Sequence, residues 1–468
     1  MLICMATKFI NIDRDTPLLL PVDLRDWVPA DHLVHFIIDA VEQLDVNAAQ
    51  VNERGTGSRQ YPPGMLLGLL VYSYATGVFS SRQIERSTFE NIAVRLLCAD
   101  THPDHDTLCA FRRKNPELLN TAFAQVLELA ARCGVLRVGG ITVAIDGTKI
   151  LANASKHSAV SYEHADQKMQ QLDLEVAELL RKAEQADAVP LQDGLSIPLE
   201  VQRRQERKAQ LAKARAEMEA RAFARFQAEQ AEYEAKIAAR EAAQEVTGKK
   251  PSGKAPTPPD SQPGTKDQYN FTDPASRIMK AGNGAHFEQS YNAQAGVDTT
   301  SRLIVGARVC TAPNDKEQLV PDLAAILPFV KIEHVLIDNG FVSEKAVNAV
   351  ELDPCGQPTG VTVLAAMKRQ PHGRTVAQLE RRADPPALPL QASFAERMTH
   401  RTATAAGQAL YKLRQQTVEP VFGIIKQALG FRRFSMRGLQ NASLEWTLVS
   451  LAYNLKRLYN LNIQLNPT

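Results

Sequence analysis

The chain has 468 residues, of which 44% are hydrophobic and 23% are charged, and its formal net charge is +2. Such a composition is typical of a globular protein with one large domain and appendages, or with two to three domains of ordinary size, and it excludes a collagenous or disordered chain. We expect no membrane span, because no apolar run approaches the ~18–20 residues that a bilayer requires. We also expect no secretory signal, because the N-terminus lacks a basic stretch followed by an apolar segment. Six scattered cysteines indicate a reducing compartment, so we expect a soluble cytoplasmic protein.

The positive charge is concentrated in the C-terminal part of the chain. Residues 363–460 contain fifteen Lys or Arg and five Asp or Glu, a local balance of +10. This asymmetry favours a polyanionic partner, most simply nucleic acid, although a solvated basic face would produce the same pattern.

Residues 1–135 predict an all-α N-terminal domain of short helices. The predicted helix starts are Asp31, Pro62-Pro63, Ser80-Ser81, Thr88 and Thr107. Short helices joined by short turns are compatible with a helix-turn-helix module, and equally with a helical packing domain. We therefore expect this domain to bind DNA ends or to dimerise.

A strand and a long helical insertion come next. Alternating apolar residues predict a strand that starts at Ile141 and ends at Gly147. Residues 163–245 predict an antiparallel helical hairpin, because apolar residues recur at helical spacing on both sides of a break at Pro190 to Pro198. A flexible linker is expected over residues 246–275, which are rich in Pro and Gly near their start.

Strand signals return after the linker, and a helical region closes the chain. The predicted elements are strands from His286 to Val297, Leu303 to Cys310, Ile332 to Asp338 and Val361 to Met367, a helix from Glu317 to Phe329, and a helical region from Thr402. This order predicts an α/β core that is interrupted by the helical insertion.

Two aspartates stand at predicted strand ends. Asp146 is followed at once by Gly147, and Asp338 is followed by Asn339 and Gly340. Ligands of open α/β sheets bind beyond the strand ends, so the two carboxylates would meet if their strands are neighbours. Turn chemistry alone accounts for either aspartate taken singly, because Asp and Gly are common in turns.

Glu419 is the only acidic residue between Arg401 and Arg437, a stretch that contains seven basic residues. A solvated charged surface normally mixes both signs, whereas one carboxylate among cations suits a site where a divalent metal and a polyphosphate bind together. A favourable position in the first turn of a helix would explain Glu419 but not its basic surroundings. Pro420 is expected to kink or restart the helix.

Three carboxylates match the requirements of two-metal phosphodiester chemistry. Two divalent ions ~3.5–4 Å apart would activate the nucleophile and stabilise the leaving oxygen. Hard ions such as Mg²⁺ prefer oxygen ligands, which Asp146, Asp338 and Glu419 would supply.

The three carboxylates and the motifs around them resemble those of insertion-sequence transposases of the DDE class, whose catalytic core is ribonuclease H-like. In the core the resemblance is carried by Ala144–Lys149, Tyr291–Gln294, Thr311–Lys316, Val335–Phe341, Tyr411–Lys426 and Phe431–Phe434. In the N-terminal region it is carried by Tyr61–Met65, Ser80–Glu85 and Asp104–Thr107. The resemblance implies a ribonuclease H-like mixed sheet within a catalytic domain over residues 136–465.

The resemblance also implies roles for individual residues. Asp146, Asp338 and Glu419 would be the catalytic carboxylates and would bind Mg²⁺ or Mn²⁺, with two ions expected. A tyrosine–arginine–glutamate–lysine signature is matched by Tyr411, Arg414, Glu419 and Lys426. It departs from the family pattern in having four residues, not three, between its arginine and its glutamate. The residues expected to contact DNA are Lys149, Tyr411, Arg414, Lys426, Arg432, Arg433 and Arg437.

The implied function is metal-dependent cleavage and strand transfer at the ends of an insertion sequence, in a bacterial cytoplasm and in association with the nucleoid. The implied partners are double-stranded DNA, as terminal inverted repeats and target DNA, and a second copy of the chain in a synaptic homodimer. Two alternatives stay open: a catalytically inactive, transposase-derived DNA-binding protein, and a metal-dependent phosphatase or nuclease of another kind. A small phosphomonoester would not require the basic C-terminal part, whereas DNA would.

Two further groups of residues are candidates for a zinc site and for an accessory acid. Cys98, His102, His105 and Cys109 form a compact cluster, but its spacing is tighter than in common zinc fingers, which favours an ordinary loop with buried cysteines. Asp315 would be an accessory acid after the third strand, but its neighbours Asn314 and Lys316 are more typical of a turn or a helix cap.

Overall fold

The structure is a computed structural model that describes residues 23–51, 60–137, 139–186, 196–247, 255–280, 286–326, 328, 330–367, 384–389 and 391–465. The chain divides into two compact units. The first contains the residues up to Leu129 and those from Leu451 onward, and the second runs from Ala130 to Ser450. None of the helices in the described ranges is long and apolar enough to cross a membrane.

The first unit is helical, as expected for the N-terminal region. Its helices are α1 (Leu33–Glu42), α2 (Pro63–Ala75), α3 (Ser81–Glu90), α4 (Ile92–Leu97), α5 (His105–Lys114) and most of α6 (Pro116–Arg132). Helix α2 lies at its centre, because every residue from Leu66 to Ala75 is buried. The buried Arg112 of α5 donates a hydrogen bond to the hydroxyl of Tyr74 in α2.

Two predicted helix starts are wrong by a few residues, because other side chains cap the helices. His32, and not Asp31, is the N-cap of α1, where its ring nitrogen accepts from a backbone N–H of the first turn at 3.2 Å. Asp104, and not Thr107, caps α5: its carboxylate accepts from the backbone N–H of Thr107 at 2.6 Å. In both cases an acceptor side chain pairs with an N–H group that the helix leaves free.

The predicted start at Thr88 is also wrong. Thr88 lies inside α3, where its hydroxyl donates to the backbone oxygen of Glu85 at 2.7 Å. The boundary is Asn91, whose side-chain oxygen accepts from two backbone N–H groups of α4 at 2.9 and 3.2 Å.

The second unit contains a mixed β-sheet. The strands are β1 (Ile141–Leu151), β2 (Ala159–Ser161), β3 (Gln268–Asn270), β4 (Arg277–Lys280), β5 (Phe287–Asp298), β6 (Ile304–Cys310), β7 (Ile332–Ile337) and β8 (Thr362–Ala365). The main sheet has the order β4-β5-β1-β7-β8, and β6 also pairs with β5. Strand β1 is antiparallel to β5 and parallel to β7, which is parallel to β8. The strands predicted from His286 to Val297 and from Leu303 to Cys310 are β5 and β6, which pair antiparallel.

Strand β1 does not end at Gly147, contrary to the prediction. Its ladder with β5 continues through Gly147 and Gln294 to Leu151 and Ser290. The pairing with β7 stops near Asp146, because β7 itself ends there. A glycine in a strand marks a close approach as often as a turn.

The helical insertion consists of α7 (Tyr162–Ala186) and α8 (Ile197–Thr247). Its contacts run in opposite directions along the two helices: Tyr162 with Glu219, Asp166 with Arg215, Asp173 with Lys208 and Glu175 with Arg204. The two helices are therefore antiparallel, as the sequence predicts. The predicted break at Pro190 lies outside the described residues, and Pro198 is the second residue of α8.

The predicted linker, residues 246–275, is only partly without regular structure. Residues 248–254 lie outside the described residues, and the segment that follows has neither helix nor strand up to residue 267. Strand β3 then pairs with β2, and Asn270 and Asp273 are buried. The end of the predicted linker is therefore part of the packed unit.

The remaining helices are α9 (Leu319–Ala324), α10 (Glu344–Glu351), α11 (Phe394–Ala403), α12 (Ala405–Gly423) and α13 (Leu439–Asn460). Helix α9 is shorter than predicted. Pro420 neither ends nor restarts α12, which continues past it into a π-helical turn, Ile424–Ala428.

The prediction of a helical region from Thr402 is wrong between residues 429 and 438, where the chain is not helical. Gly430 and Gly438 adopt φ values of +82° and +85°, a left-handed conformation that glycine tolerates best. Gly430 follows the end of the π-helical turn, and Gly438 directly precedes α13. Between them the chain lies alongside the end of β1, where the Leu151 N–H donates to the oxygen of Arg432 at 3.0 Å.

Candidate active site

Asp146 and Asp338 lie at the same level of two neighbouring parallel strands. Ala144 of β1 is in register with Leu336 of β7, and each aspartate lies two residues further along its chain. Asp338 is the first residue after β7, where its Oδ1 accepts from the backbone N–H of Gly340 at 2.8 Å. This register gives a structural basis to the expectation that the two carboxylates lie close together, although Asp146 lies within β1 and not at its end.

Helix α12 packs against β1, β5, β7 and β8 and brings further residues to the same place. The half-buried Tyr411 donates its hydroxyl to the backbone oxygen of Ile337 at 3.2 Å, which fixes α12 beside the end of β7. Burial raises the pKa of Tyr411, so the hydroxyl keeps its proton for this bond. Arg414 follows one turn later on the same helix.

One guanidinium group joins the three carboxylates. Arg414 Nη2 lies 3.0 Å from Asp146 Oδ2 and 3.9 Å from Asp338 Oδ2, and Arg414 Nη1 lies 3.9 Å from Glu419 Oε1. The side chain of Arg414 is 9% exposed, that of Asp146 is 17% exposed, and those of Asp338 and Glu419 are 41% and 57% exposed. The carboxylates thus form a cleft that opens to solvent and has Arg414 at its floor.

The pKa of Asp146 is raised to about 6, chiefly because burial disfavours the charged carboxylate. The guanidinium of Arg414 acts in the opposite direction, as does the backbone N–H of Gly147, which donates to Asp146 at 2.8 Å. The nearby carboxylates of Asp338 and Asp315 raise the pKa further. Asp146 is therefore a largely buried carboxylate that is paired with one cation, Arg414, and is affected by two further carboxylates.

The carboxylate oxygens of Asp146, Asp338 and Glu419 are ligands of the kind that a hard divalent cation prefers. In this structure they share the positive charge of Arg414. In the ranges that the structure describes, no three His, Cys, Asp or Glu side chains stand close enough to hold a metal ion on their own. The guanidinium of Arg414 occupies the position between the carboxylates. The chemistry of these oxygen ligands suits a divalent cation, but in this arrangement Arg414 would have to leave its position before the three carboxylates could hold one.

A further carboxylate, that of Asp315, lies beside Gly147. Its Oδ1 accepts hydrogen bonds from Asn292 Nδ2 at 2.7 Å and from Gln294 Nε2 at 2.6 Å. A Cβ atom on Gly147 would lie 2.5–2.8 Å from atoms of all three side chains, so only glycine fits there. The sequence pattern favours a turn at Asp315 and assigns no role to the amide side chains of Asn292 and Gln294. Their signal was present in the spacing, because Asn292 and Gln294 are polar residues two positions apart in an otherwise buried strand.

The basic residues of the C-terminal part lie on the π-helical turn and the extended segment after it. Lys426 is half-buried, and burial together with the charge of Arg432 lowers its pKa. Arg432, Arg433 and Arg437 are exposed, and Arg437 Nε donates to the backbone oxygen of Asn153 at 3.1 Å. These cations are therefore anchored near the end of β1.

Lys149 lies on the opposite face of β1 from Asp146. Side chains alternate along a strand, so Lys149 shares its face with Gly147 and stands opposite Asn292 in the ladder. The structure therefore places Lys149 on the face of β1 opposite the cleft around Arg414.

The cysteine and histidine cluster of the first unit does not form a zinc site in the described structure. His102 Nδ1 lies 3.1 Å from the hydroxyl of Thr88, and His105 Nδ1 lies 2.8 Å from a carboxylate oxygen of Glu85. Cys98 is buried, which raises the pKa of its thiol to about 12. The two histidines therefore have separate structural partners.

Two family models match the chain. A model described as "Transposase domain (DUF772)" matches residues 22–114, and a model described as "Transposase DDE domain" matches residues 254–455. The second match includes Asp338 and Glu419, whereas Asp146 lies between the two matched regions. No curated protein and no solved structure matches the chain.

Proposed function

The chain belongs to the DDE-class transposases of insertion sequences, and we propose that it cleaves DNA at the ends of its own element and joins them to target DNA. The observation that supports this most strongly is the convergence of Asp146, Asp338 and Glu419 on one guanidinium group. Three separate parts of the chain supply these carboxylates, and carboxylate oxygens are the ligands preferred by the divalent metals of phosphodiester chemistry.

We assign the core to the ribonuclease H-like class. The support is a mixed sheet in which the two aspartates stand on adjacent parallel strands, with the glutamate on a helix that packs across them. The helical insertion enters between β2 and β3, so it leaves the order of the main sheet intact.

Asp146, Asp338 and Glu419 would hold Mg²⁺ or Mn²⁺, and two ions are expected for a reaction of this type. Bound divalent ions would supply a water or 3′-hydroxyl activated for attack and would stabilise the leaving oxygen. Asp146 is the most buried of the three carboxylates and would fix the position of the site. Asp338 and Glu419 face the solvent side, where DNA would enter.

The DNA would be bound as a duplex, at terminal inverted repeats and at the target. Arg432, Arg433 and Arg437 are exposed on a segment that lies alongside the end of β1. Lys426 lies on the π-helical turn that precedes this segment. Exposed guanidinium groups suit phosphate oxygens, which they contact without reading sequence. We further propose that two copies of the chain assemble on the two ends, since one element presents two equivalent ends.

The experiment that tests the function is a nicking assay on duplex DNA that carries the terminal sequences of the element, with Mg²⁺ or Mn²⁺. The parent protein is compared with Asp146→Asn, Asp338→Asn and Glu419→Gln. The matched control is Glu288→Gln, which removes a carboxylate of β5 that contacts Lys156 and lies outside the cleft.

We expect nicking by the parent and by Glu288→Gln, and none by the three cleft variants, which should still bind the DNA ends. Nicking by Glu419→Gln at the parental rate would mean that the third carboxylate lies elsewhere. Tight end binding without nicking by any protein would favour the inactive, transposase-derived DNA-binding protein.

A further inference from the structure

We infer that Glu445 and Asp273 are positioning residues for DNA binding. Their buried carboxylates hold the stretch between the π-helical turn and α13 in one conformation, which presents its arginines to phosphate oxygens. This stretch, residues 431–438, is the basic segment, and it contains Arg432, Arg433 and Arg437. The inference rests on the proposed function, because it concerns the phosphate contacts of that DNA complex.

The basic segment has an inner, apolar side and an outer, charged side. Its buried residues are Phe431, Phe434 and Met436. All three arginines are exposed. Arg432 Nε donates to the backbone oxygen of Lys426 at 3.1 Å. Arg437 Nε donates to that of Asn153 at the same distance. Both acceptors are neutral, so these bonds hold the guanidinium groups without removing their charge.

Glu445 of α13 holds the middle of the basic segment. Its side chain is 0% exposed, and its Oε2 accepts from the backbone N–H groups of Ser435 and Met436 at 2.8 and 3.1 Å. The hydroxyl of Ser435 donates to Oε1 of the same carboxylate. Buried backbone N–H groups outside helices and strands need such a partner. Glu445 therefore sets the conformation of the backbone directly before Arg437.

Asp273 holds the end of the basic segment. It is 0% exposed, and its carboxylate accepts from the hydroxyl of Tyr291 at 2.8 Å. Its Oδ1 also accepts from the backbone N–H of Gly438 at 3.2 Å. Arg437 is therefore fixed on both sides, by Glu445 through the preceding residue and by Asp273 through the following one.

Fixed arginines explain why two carboxylates are buried here. Burying a carboxylate costs free energy that an apolar side chain would not cost, even where hydrogen bonds offset part of it. Irregular surface segments are normally mobile, and a mobile segment loses conformational freedom when it binds a partner. A segment that is already ordered avoids this loss, so phosphate oxygens would meet guanidinium groups that stand in place.

The test measures the binding of a fluorescein-labelled duplex of unrelated sequence by fluorescence anisotropy at one salt concentration, since phosphate contacts carry no sequence information. Glu445→Met has a side chain of similar volume without acceptor oxygens. We expect its Kd to be roughly tenfold weaker than that of the parent, because the basic segment must then be ordered on binding. The loss of a negative charge alone would strengthen DNA binding, so weaker binding reports the position of the arginines.

The matched control is Glu396→Met. Glu396 accepts the same pair of hydrogen bonds, from the backbone N–H and the hydroxyl of Ser393, at the start of α11 and outside the basic segment. This variant loses the same charge and the same kind of contact. It should bind the duplex no more weakly than the parent.

A double-mutant cycle separates positioning from a general loss of structure. Glu445→Met is also made in a background where all three arginines of the basic segment are replaced by glutamine. If Glu445 acts through these arginines, the substitution should weaken binding no further in that background. Equal weakening in both backgrounds overturns the inference, as does a parental Kd for folded Glu445→Met.

The outcomes separate this inference from the proposed function. If the triple arginine variant binds weakly and Glu445→Met binds like the parent, only the inference fails. If the triple variant itself binds like the parent, the basic segment is not part of the DNA interface, and that part of the proposed function fails with the inference.

A second variant decides if Glu445→Met is unfolded by circular dichroism at the assay temperature. Ser435→Ala removes the hydroxyl that donates to Glu445 and leaves the buried carboxylate in place. A weaker Kd that disappears in the triple arginine background supports the inference, and a parental Kd overturns it.

Discussion

Arg414 Nη2 lies 3.0 Å from Asp146 Oδ2, and the same guanidinium lies within 3.9 Å of two further carboxylates. A buried cation is retained only where anions offset the cost of its desolvation. Arg414 Nε is itself buried without a partner in the described part of the chain, so the group is held by its charge and not by a complete set of hydrogen bonds. Arg414 therefore stands where the proposed reaction requires a metal ion.

We expect Arg414→Gln to strengthen Mn²⁺ binding by the free protein by tenfold or more. Unit charges about 4 Å apart interact by about 4 kcal/mol near a protein surface, so the loss of this guanidinium leaves the carboxylates in mutual repulsion that a metal ion relieves. Nicking of DNA should nevertheless decrease, because the family resemblance implies that Arg414 contacts DNA, and the variant loses that contact. Free Mn²⁺ measured by electron paramagnetic resonance, together with the nicking assay, checks both effects.

The control for this experiment is Arg433→Gln, which removes an exposed arginine without altering the cleft. It should leave Mn²⁺ binding unchanged. An Mn²⁺ affinity of Arg414→Gln equal to or below that of the parent would show that Arg414 does not compete with the metal ion.

We expect Gly147→Ala to lower the free energy of unfolding by about 1–3 kcal/mol, the usual cost of forcing extra atoms into a packed site. The new methyl group would lie 2.5–2.8 Å from Asn292, Gln294 and Asp315, which hydrogen-bond to one another and have little room to move. Gly423→Ala is the matched control, because no atom lies within 4 Å of a Cβ at that exposed helical position. Urea unfolding measures the free energy of unfolding of both variants. Equal values for Gly147→Ala and Gly423→Ala would contradict the close approach at Gly147.

Local patterns were sufficient to predict much of the sheet and the candidate site. Alternating apolar residues located β1, β5, β6, β7 and β8, and the turn residues after Ile337 placed Asp338 at a strand end. Glu419 was singled out by the charges around it. These features are encoded within a few neighbouring residues, which is why sequence reasoning reaches them.

The features that sequence reasoning missed depend on distant parts of the chain. Strand β1 continues past Gly147 because β5, well over a hundred residues later, offers a matching edge. Glycine is needed at position 147 because the Asp315 side chain approaches it. The position of Arg414 is explained by Asp146 and Asp338, which lie far from it in the sequence. The segment after Gly430 is extended because it pairs with the end of β1, an interaction that no helical periodicity reveals.

The free energy of unfolding should fall between pH 4 and pH 7 because of Asp322. Burial raises the pKa of Asp322 from 3.8 to about 7, although Arg308 donates to it at 2.8 Å. Between these two pKa values the folded protein binds a proton that the unfolded chain has released, so stability is lost as the pH rises. A shift of this size corresponds to about 4 kcal/mol over the whole range.

The comparison with Asp322→Asn isolates this effect, because every other titrating group is common to both proteins. Urea unfolding at pH 4, 5, 6, 7 and 8 should show that the stability of the parent relative to the variant declines steadily up to about pH 7 and then levels off. Parallel curves would mean that Asp322 is ionised in the folded protein throughout this range.

The salt dependence of DNA binding tests whether Arg433 contacts a DNA phosphate. If Arg433 contacts a phosphate, Arg433→Gln should reduce the slope of log K against log salt concentration by about 0.9, because one fewer counterion is released. The loss of affinity should be similar for element ends and for unrelated duplex, since a phosphate contact carries no sequence information. Lys345→Gln removes an equal charge from the exposed face of α10 and should leave the slope unchanged. Fluorescence anisotropy between 50 and 300 mM salt (roughly the range in which this effect is steep) measures both slopes. A parental slope for Arg433→Gln would remove this arginine from the DNA interface and shift the phosphate contacts to Arg432, Arg437 or the first unit.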